Sequence, residues 1–364
     1  MAKNKFAAIV VAAGYSSRMH DFKPLLKFGG KTAIRTVIET LKLSGVNDII
    51  TVLGHRSEEL EKSIGDCNVK CVYNENYPKG MYTSVVRGVE EVGTHISAFF
   101  IWPVDIPLIK EHTIINLMEK YNEKNQGIIH PSFDGKRGHP PLIDYKYAQA
   151  IILGDGEGGL KRLLDRYEND SYNLPLWDQA ILMDMDTEED YRKLLSYYNY
   201  RVPNEKECYE LLKFYKVPDK IIKHSLKVAE VSLELYESMD NKAKNIDVGL
   251  LRAAALLHDI ARMEKNHAEK GAEIIQSLGY SRLAHPISTH MDIAVDDEKD
   301  ITEGEILYLA DKLVKEDKIL PLESRMQMQM ELFKGDEFVL NKIEQRYDMA
   351  KKIMLKIKKT SGEK

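Results

Sequence analysis

Two groups of residues in this chain have the types and spacing for phosphate chemistry. Residues 12–23 read AAGYSSRMHDFK, a turn of small residues (Ala12, Ala13, Gly14) that runs through Ser16 and Ser17 into Arg18 and Lys23. With so little side-chain bulk, backbone N–H groups in such a turn can converge on phosphate oxygens. Arg18 adds a forked donor and Lys23 a point charge. Taken alone, the segment reads equally well as a tight strand-to-loop turn flanked by surface cations. Far downstream lie His224, the pair His258-Asp259, His267, His290 and Asp311. These nitrogen and oxygen ligands suit Zn, Mn or Fe, and mixed sets of this kind serve hydrolysis by activating a water.

The surroundings of the second group strengthen it. His258-Asp259 falls in 250–261, a run apolar nearly all round, and burying an imidazole and a carboxylate without partners is costly. One hydrogen-bonded His–Asp pair in a helical core would satisfy both. That reading weakens because His224 opens another amphipathic segment and Asp311 lies in LYLADKLV, again among apolar residues. Five of the eleven histidines fall between 224 and 290, and His285 among them reads as a surface or supporting residue.

Carboxylates complete the first group. Asp105, in WPVDIPLI, follows a strongly apolar strand, and Asp184 and Asp186, in LMDMDTEEDY, follow the short apolar run 180–183. Carboxylates at strand ends hold Mg²⁺ beside phosphates, because Mg²⁺ takes oxygen ligands and keeps several waters. Asp186 also reads as the start of a helix, so Asp105 is the stronger candidate.

The elements that must position these residues fall into two patterns. Strands are expected at 6–12, 48–53, 69–73, 98–102 and 127–130, with helices at 33–43 and near 56–64, 80–91 and 111–124. This alternation predicts a mostly parallel α/β sheet flanked by helices, with ligands at the carboxyl edge of the strands. After about residue 199 the strand signals stop, and i, i+3, i+4 spacing such as Ile306, Leu309, Ala310 and Leu313 predicts an all-α half. Pro203 and Asn204 break the pattern, which gives domains of 1–200 and 201–364. GDGEGG at 154–159 fits the string G-x-G-x-x-G but comes too late to follow a first strand, so it is no dinucleotide fingerprint.

Composition narrows the classes. The 364 residues are too many for a typical single core. A net charge of -5 argues against a general nucleic-acid or anionic-membrane binder. Cys67, Cys71 and Cys208 make no C-x-x-C pair and fit a reducing cytoplasm. Lys3 and Lys5 before FAAIVVAAG imitate a signal peptide, but the run is short and leads into a polar Gly loop, so it reads as a buried strand. No stretch approaches the roughly 20 apolar residues of a membrane span.

Six blocks in order, AAGYSSRMHDFKPLL, NENYPKGMYTSVVRGV, PVDIPLI, PSFDGKRGHPPLI, GDGEGGLKRLL and MDMDTEEDY, resemble the molybdenum cofactor cytidylyltransferase group of the MobA-like nucleotidyltransferases over residues 5–195. The resemblance implies a Rossmann-like domain that joins a nucleoside monophosphate to a phosphorylated acceptor such as molybdopterin and releases pyrophosphate. By position, Ala12, Ala13, Gly14, Arg18 and Lys23 would hold the triphosphate, and Asp105 and Asp186 the Mg²⁺. Gly80, Met81 and Ser84 would form the nucleotide or acceptor pocket, with Gly138 and His139 near the acceptor. His20 stands where the family usually has Gly, and Pro103-Val104 precede Asp105 in place of the usual small-residue start. Ala13, where the guanylyl branch tends to carry Gly, favours CTP over other NTPs.

From His224 to Asp311 the chain resembles the HD-domain metal-dependent phosphohydrolases, through HSLKVAEVSLELY, AAALLHDIAR, NHAEKGAEII, ISTHMD and ILYLADKLV. The resemblance implies a first divalent transition metal (Mn, Fe or Zn) on His224, His258, Asp259 and Asp311. His267 and His290 match the extra ligands of two-metal members, with Asp259 bridging. An activated water would attack phosphorus, with Lys312 or Arg262 steadying the anion. The expected function is therefore a bifunctional enzyme. Two rivals differ in one part each: the acceptor is a sugar or alcohol phosphate, or the helical half senses a nucleotide and hydrolyses nothing. The oligomeric state and the hydrolase substrate are not legible.

Overall fold

From Ala7 to Val11 every residue of the first strand, Phe6–Val11, is buried. Ala8 and Val10 pack with Ile34, Val37, Ile38 and Leu41 of helix Ala33–Leu43 and with Ile114 and Leu117 of helix Glu111–Glu123. Ala7, Ile9 and Val11 face the other way, onto Val85 and Val89 of helix Met81–Val89 and Ile151 of helix Ala148–Ile152. Burial on both faces explains why the strand is apolar without alternation. Each Val, Leu or Ile side chain so buried contributes roughly 1.5–3 kcal/mol.

This computed structural model describes residues 4–16, 19, 21–123, 126–239 and 245–360. The chain divides into two compact units, Met1–Tyr200 and Arg201–Lys364. The first is a sheet with helices on both faces. Its strands run in the order Ser171–Pro175, Ile128–Phe133, Leu142–Asp144, Ala98–Pro103, Phe6–Val11, Asp48–Leu53, Lys70–Tyr73, and Lys136–Arg137 pairs with Ile128–Phe133. Phe6–Val11 is parallel to both of its neighbours, Asp48–Leu53 and Ala98–Pro103. Leu142–Asp144 is antiparallel to both of its own. The sheet is thus mostly parallel, with two short antiparallel strands, Leu142–Asp144 and Lys136–Arg137.

Several details of this unit differ from the sequence reading. Leu142–Asp144 and Ser171–Pro175 are strands that periodicity did not show. The run at 180–183 is not a strand: Gln179–Leu182 is a 3₁₀ turn, capped by the Asp178 side chain accepting from the Ala180 N–H. Asp184 and Asp186 therefore follow a turn, and helix Glu188–Tyr200 begins after them.

The second unit is helical apart from a hairpin of Val314–Lys315 with Lys318–Ile319. Asn204 and Glu207 form a reciprocal capping box at the start of helix Glu205–Phe214, and Thr302 and Glu305 do the same for helix Glu303–Leu313. Helix Val248–Leu257 is the buried centre, packed by helices Asp219–Glu237 and Glu303–Leu313. It stops at His258, so His258-Asp259 sits at the end of this helix and not inside it. Three-residue turns take over there: Ile260 N–H donates to the Leu257 carbonyl and Arg262 N–H to that of Asp259. Lys356, on the last helix Glu337–Thr360, meets Glu305 at 2.9 Å in a pair shielded from solvent. Among the described residues no helix is long and apolar enough to cross a membrane.

Candidate active sites

Three strands and one turn build the first site. The loop after Phe6–Val11 is pinned at its base, with Ala12 N–H donating to Val52 O and the Ala13 carbonyl accepting from His55 N–H. That approach needs Gly54, where a Cβ would fall 2.8 Å from the Ala13 carbonyl. Farther along, Ser16 Oγ accepts from the Lys23 N–H at 3.0 Å and folds the loop back. On the opposite wall Gly80 has φ +115°, a left-handed backbone that favours glycine, and helix Met81–Val89 starts directly after it. The buried Asn74 side chain ties this wall together by donating to Thr83 Oγ1 at 3.0 Å and Ser84 Oγ at 2.9 Å.

These parts enclose a cleft of about 370 Å³, within the range of small-molecule sites. Ala12, Gly14, Lys23, Gly80, Met81, Ser84, Asp105 and Asp186 all line it. Ala13 is buried beneath the loop. Ser17, Arg18 and His20 lie outside the described residues. Gly138 and His139 are not part of this lining; they sit against the turn at Ile181, whose carbonyl accepts from the His139 N–H at 3.0 Å. Tyr15, Tyr77 and Asn74 were missed by the sequence reading, although all three stand in the motif blocks.

The electrostatics of the cleft call for a cation. Lys23 Nζ lies 2.6 Å from Asp186 Oδ1. Asp105 is pushed above the usual carboxyl range, chiefly by burial and further by the Asp186 and Asp184 carboxylates, with Lys23 pulling the other way. Asp105 and Asp186 offer oxygen donors to the cleft, a donor set that fits Mg²⁺. Nearby, burial lowers the His139 imidazole, opposed by Asp184, and its buried Nδ1 has no hydrogen-bond partner among the described residues.

The second site gathers all six residues named from the sequence. His224, His258 and His290 each direct Nδ1 at a backbone carbonyl, of Glu316 (3.0 Å), Ala255 (2.8 Å) and Ile287 (2.6 Å). A carbonyl can only accept, so each ring carries a proton on Nδ1. His258 and His290 then present an Nε2 lone pair, while His224 Nε2 donates to Asp311 Oδ1, a contact that outweighs burial and raises the His224 imidazole. Asp259 stands between two groups. Its Oδ2 lies 3.6 Å from His258 Nε2, and its Oδ1 lies 3.3 Å from His267 Nε2 and 3.5 Å from His290 Nε2. Asp311 Oδ1 is 3.1 Å from His224 Nε2 and 3.7 Å from His258 Nε2.

Two observations show that this constellation fits metal ions. His258 Nε2 is buried with no hydrogen-bond partner among the described residues. His267 Nε2, which accepts from Arg262 Nη1 at 2.9 Å, lies 3.2 Å from His290 Nε2, so two lone pairs face one another. A cation between them removes that conflict. The ligand atoms form two trios within metal reach, His224–His258–Asp259 and Asp259–His267–His290, which share Asp259. Burial holds His258 near a pKa of about 4, hence neutral at pH 7. Asp259 is held well below the carboxylate range: burial opposes this, but the surrounding imidazoles and Arg262 outweigh it. Asp311 is held down likewise, by Lys312 and the His224 hydrogen bond against burial. His285 is exposed and belongs to neither trio.

Comparison with known proteins agrees with this division. A family model described as the MobA-like NTP transferase domain matches residues 8–171, and one described as the HD domain matches residues 221–315. The molybdenum cofactor cytidylyltransferase of Escherichia coli (strain K12) is 30% identical over 184 residues, which span 50% of this chain and 92% of that protein. The bifunctional protein GlmU of Staphylococcus saprophyticus is 28% identical over 161 residues, 44% of this chain but 34% of that protein. A solved nucleotidyl transferase from Methanothermobacter thermautotroptrophicus shares 22% identity, with a TM-score of 0.48 over 54% of this chain and 99% of its own. The chain thus belongs to the MobA-like NTP transferases, with a nucleotidyltransferase domain in its first half and an HD domain in its second.

Proposed function

We propose that the chain is a bifunctional enzyme. Its first half transfers a cytidylyl group from CTP to a phosphorylated acceptor such as molybdopterin, and its HD half hydrolyses a phosphate ester. The convergence of Lys23, Asp105 and Asp186 in one cleft under the Ala12–Gly14 loop carries the first part. An acceptor phosphate oxygen attacks the α-phosphorus of CTP in line, the new P–O bond forms, and the bond to the β-phosphate oxygen breaks to release pyrophosphate. Asp105 and Asp186 would hold Mg²⁺, which would supply charge neutralisation when bound. Lys23, with Arg18, neutralises the phosphates, and Gly14 leaves room for their close approach to the backbone. Gly80, Met81 and Ser84 position the nucleotide or the acceptor.

The two histidine trios sharing Asp259 support the hydrolytic part. His224, His258, Asp259, His267, His290 and Asp311 would hold divalent ions, which when bound would supply Lewis acidity for activating a water. Lys312, buried and 2.8 Å from Asp311 Oδ2, balances charge beside the phosphoryl group.

The test is pyrophosphate release from CTP or GTP with Mg²⁺ and either molybdopterin or a panel of sugar phosphates. Turnover with CTP and molybdopterin is expected. Preference for GTP removes the cytidylyl assignment, and activity with a sugar phosphate alone removes the cofactor assignment.

A further inference from the structure

Beside the metal-ligand cluster the HD unit holds a cavity of about 240 Å³. Its wall includes His224, Asp259 and Asp311, and six cations: Lys220, Arg262, Lys312, Lys315, Arg325 and Arg346. Most of these cations are committed. Lys220 pairs with Glu316 at 3.1 Å, and Arg346 makes two parallel bonds to Asp292 at 2.7 and 2.8 Å. Arg262 and Lys312 answer the ligand carboxylates Asp259 and Asp311. Two remain. Among the described residues no carboxylate lies within ion-pair distance of Arg325 or of Lys315, which meets only Met328 Sδ at 3.9 Å. Arg325 is half-buried, and its Nη1 donates to the backbone carbonyl of the ligand Asp311 at 3.0 Å, which anchors the guanidinium next to the metal cluster.

Arg325 comes from helix Leu322–Leu332, beyond residues 221–315 that match the HD model. The cavity is smaller than the roughly 300–1,000 Å³ of pockets that enclose a whole drug-sized ligand, so it takes the phosphate end of a substrate. The reacting phosphoryl group is served by the ligand cluster and Lys312. Arg325 and Lys315 then supply unneutralised positive charge for a second anionic group.

We propose that the HD site takes a diphosphate, an ester or anhydride with a second phosphoryl group beside the one attacked, and that Arg325, with Lys315 at the rim, binds this second group. The inference rests on the phosphohydrolase reading of this half. In the reaction a water oxygen bonds to the attacked phosphorus, the bridging P–O bond breaks, the second phosphoryl group leaves with the bridging oxygen and its electron pair, and the water's proton passes to solvent.

The experiment uses the full chain loaded with Mn²⁺, in a Lys23→Gln background that weakens phosphate binding in the N-terminal cleft. Binding of inorganic pyrophosphate and of orthophosphate is measured by calorimetry for the parent, Arg325→Gln, Arg325→Lys and Lys315→Gln. Hydrolysis of pyrophosphate, CDP and p-nitrophenyl phosphate is measured alongside. Arg325→Gln is expected to weaken pyrophosphate roughly ten- to a hundredfold, the scale of one charge-assisted contact, while orthophosphate and bound manganese change little. Arg325→Lys should recover part of the loss, which a folding defect would not. Equal losses for both anions, or none, overturn the inference and leave the hydrolase reading standing. An Arg325-dependent preference for pyrophosphate in a protein that hydrolyses nothing on the panel upholds the anion site and removes the hydrolase.

Discussion

At the scale of single residues, the chemistry was most legible where an ionisable side chain interrupts an apolar run. His258, Asp259 and Asp311 announced themselves because burial without partners is expensive, and the structure gathers all three, with His258 Nε2 3.6 Å from Asp259 and 3.7 Å from Asp311. Arg325 gave no such signal, since an arginine on a polar helix is ordinary until packing sets it beside Asp311. Asp105→Asn should lower pyrophosphate release by about a hundredfold or more while the thermal midpoint holds, as for loss of a group that acts mainly on developing charge. Undiminished turnover would remove Asp105 from the machinery. His130 offers a different reading by pH. Burial lowers its pKa from 6.5 to about 4, with Arg137 adding to the effect. The unfolded chain therefore takes up this proton first, so the stabilisation is complete above about pH 6.5 and lost as pH falls toward 4. The amount is on the order of 3 kcal/mol. Melting His130→Gln beside the parent from pH 7 to 5 should show a shallower acid decline in the variant, and parallel curves would refute the assignment.

Elements were legible in proportion to their length and to how uniformly they are buried. Phe6–Val11 stood out as a six-residue apolar run, and Asp48–Leu53 as a β-branched segment buried from Ile49 on. Leu142–Asp144, three residues long, is too short for any period to show, and its antiparallel seat depends on neighbours remote in sequence. The run at 180–183 has a strand's composition, but Asp178 caps a turn there and diverts it. The boundary of the helical half was visible in Pro203-Asn204, and its energetics are local. Asn204→Ala removes the acceptor that bonds the Glu207 N–H at 3.1 Å and should destabilise the second unit by about 1 kcal/mol in urea. Lys356→Ala should do more, roughly 3–5 kcal/mol, because Glu305 is left buried without its cation. Equal, small effects of the two would mean that the last helix is held by its apolar contacts alone.

For the molecule as a whole, each unit closes its own core: the sheet and its two helical layers in one, the helices around Val248–Leu257 in the other. We therefore expect 1–200 and 201–364, expressed separately, each to melt cooperatively, the first without added metal and the second with a midpoint raised by Mn²⁺. Failure of either half to fold alone would show that the units depend on one another. Metal analysis of the full chain should find two ions per HD unit in the parent and at most one in His267→Ala, because that change leaves the His224 trio intact.

The shared position of Asp259 has a genetic consequence. A chain carrying Asp259→Asn loses a ligand from both trios in one step, yet its nucleotidyltransferase cleft is untouched; a chain carrying Asp105→Asn is its mirror image. A cell expressing both alleles would hold one working copy of each activity on different polypeptides. Rescue by such a pair would mean that the two proposed activities can be supplied by separate chains, and failure to rescue would mean that they must be inherited on one chain.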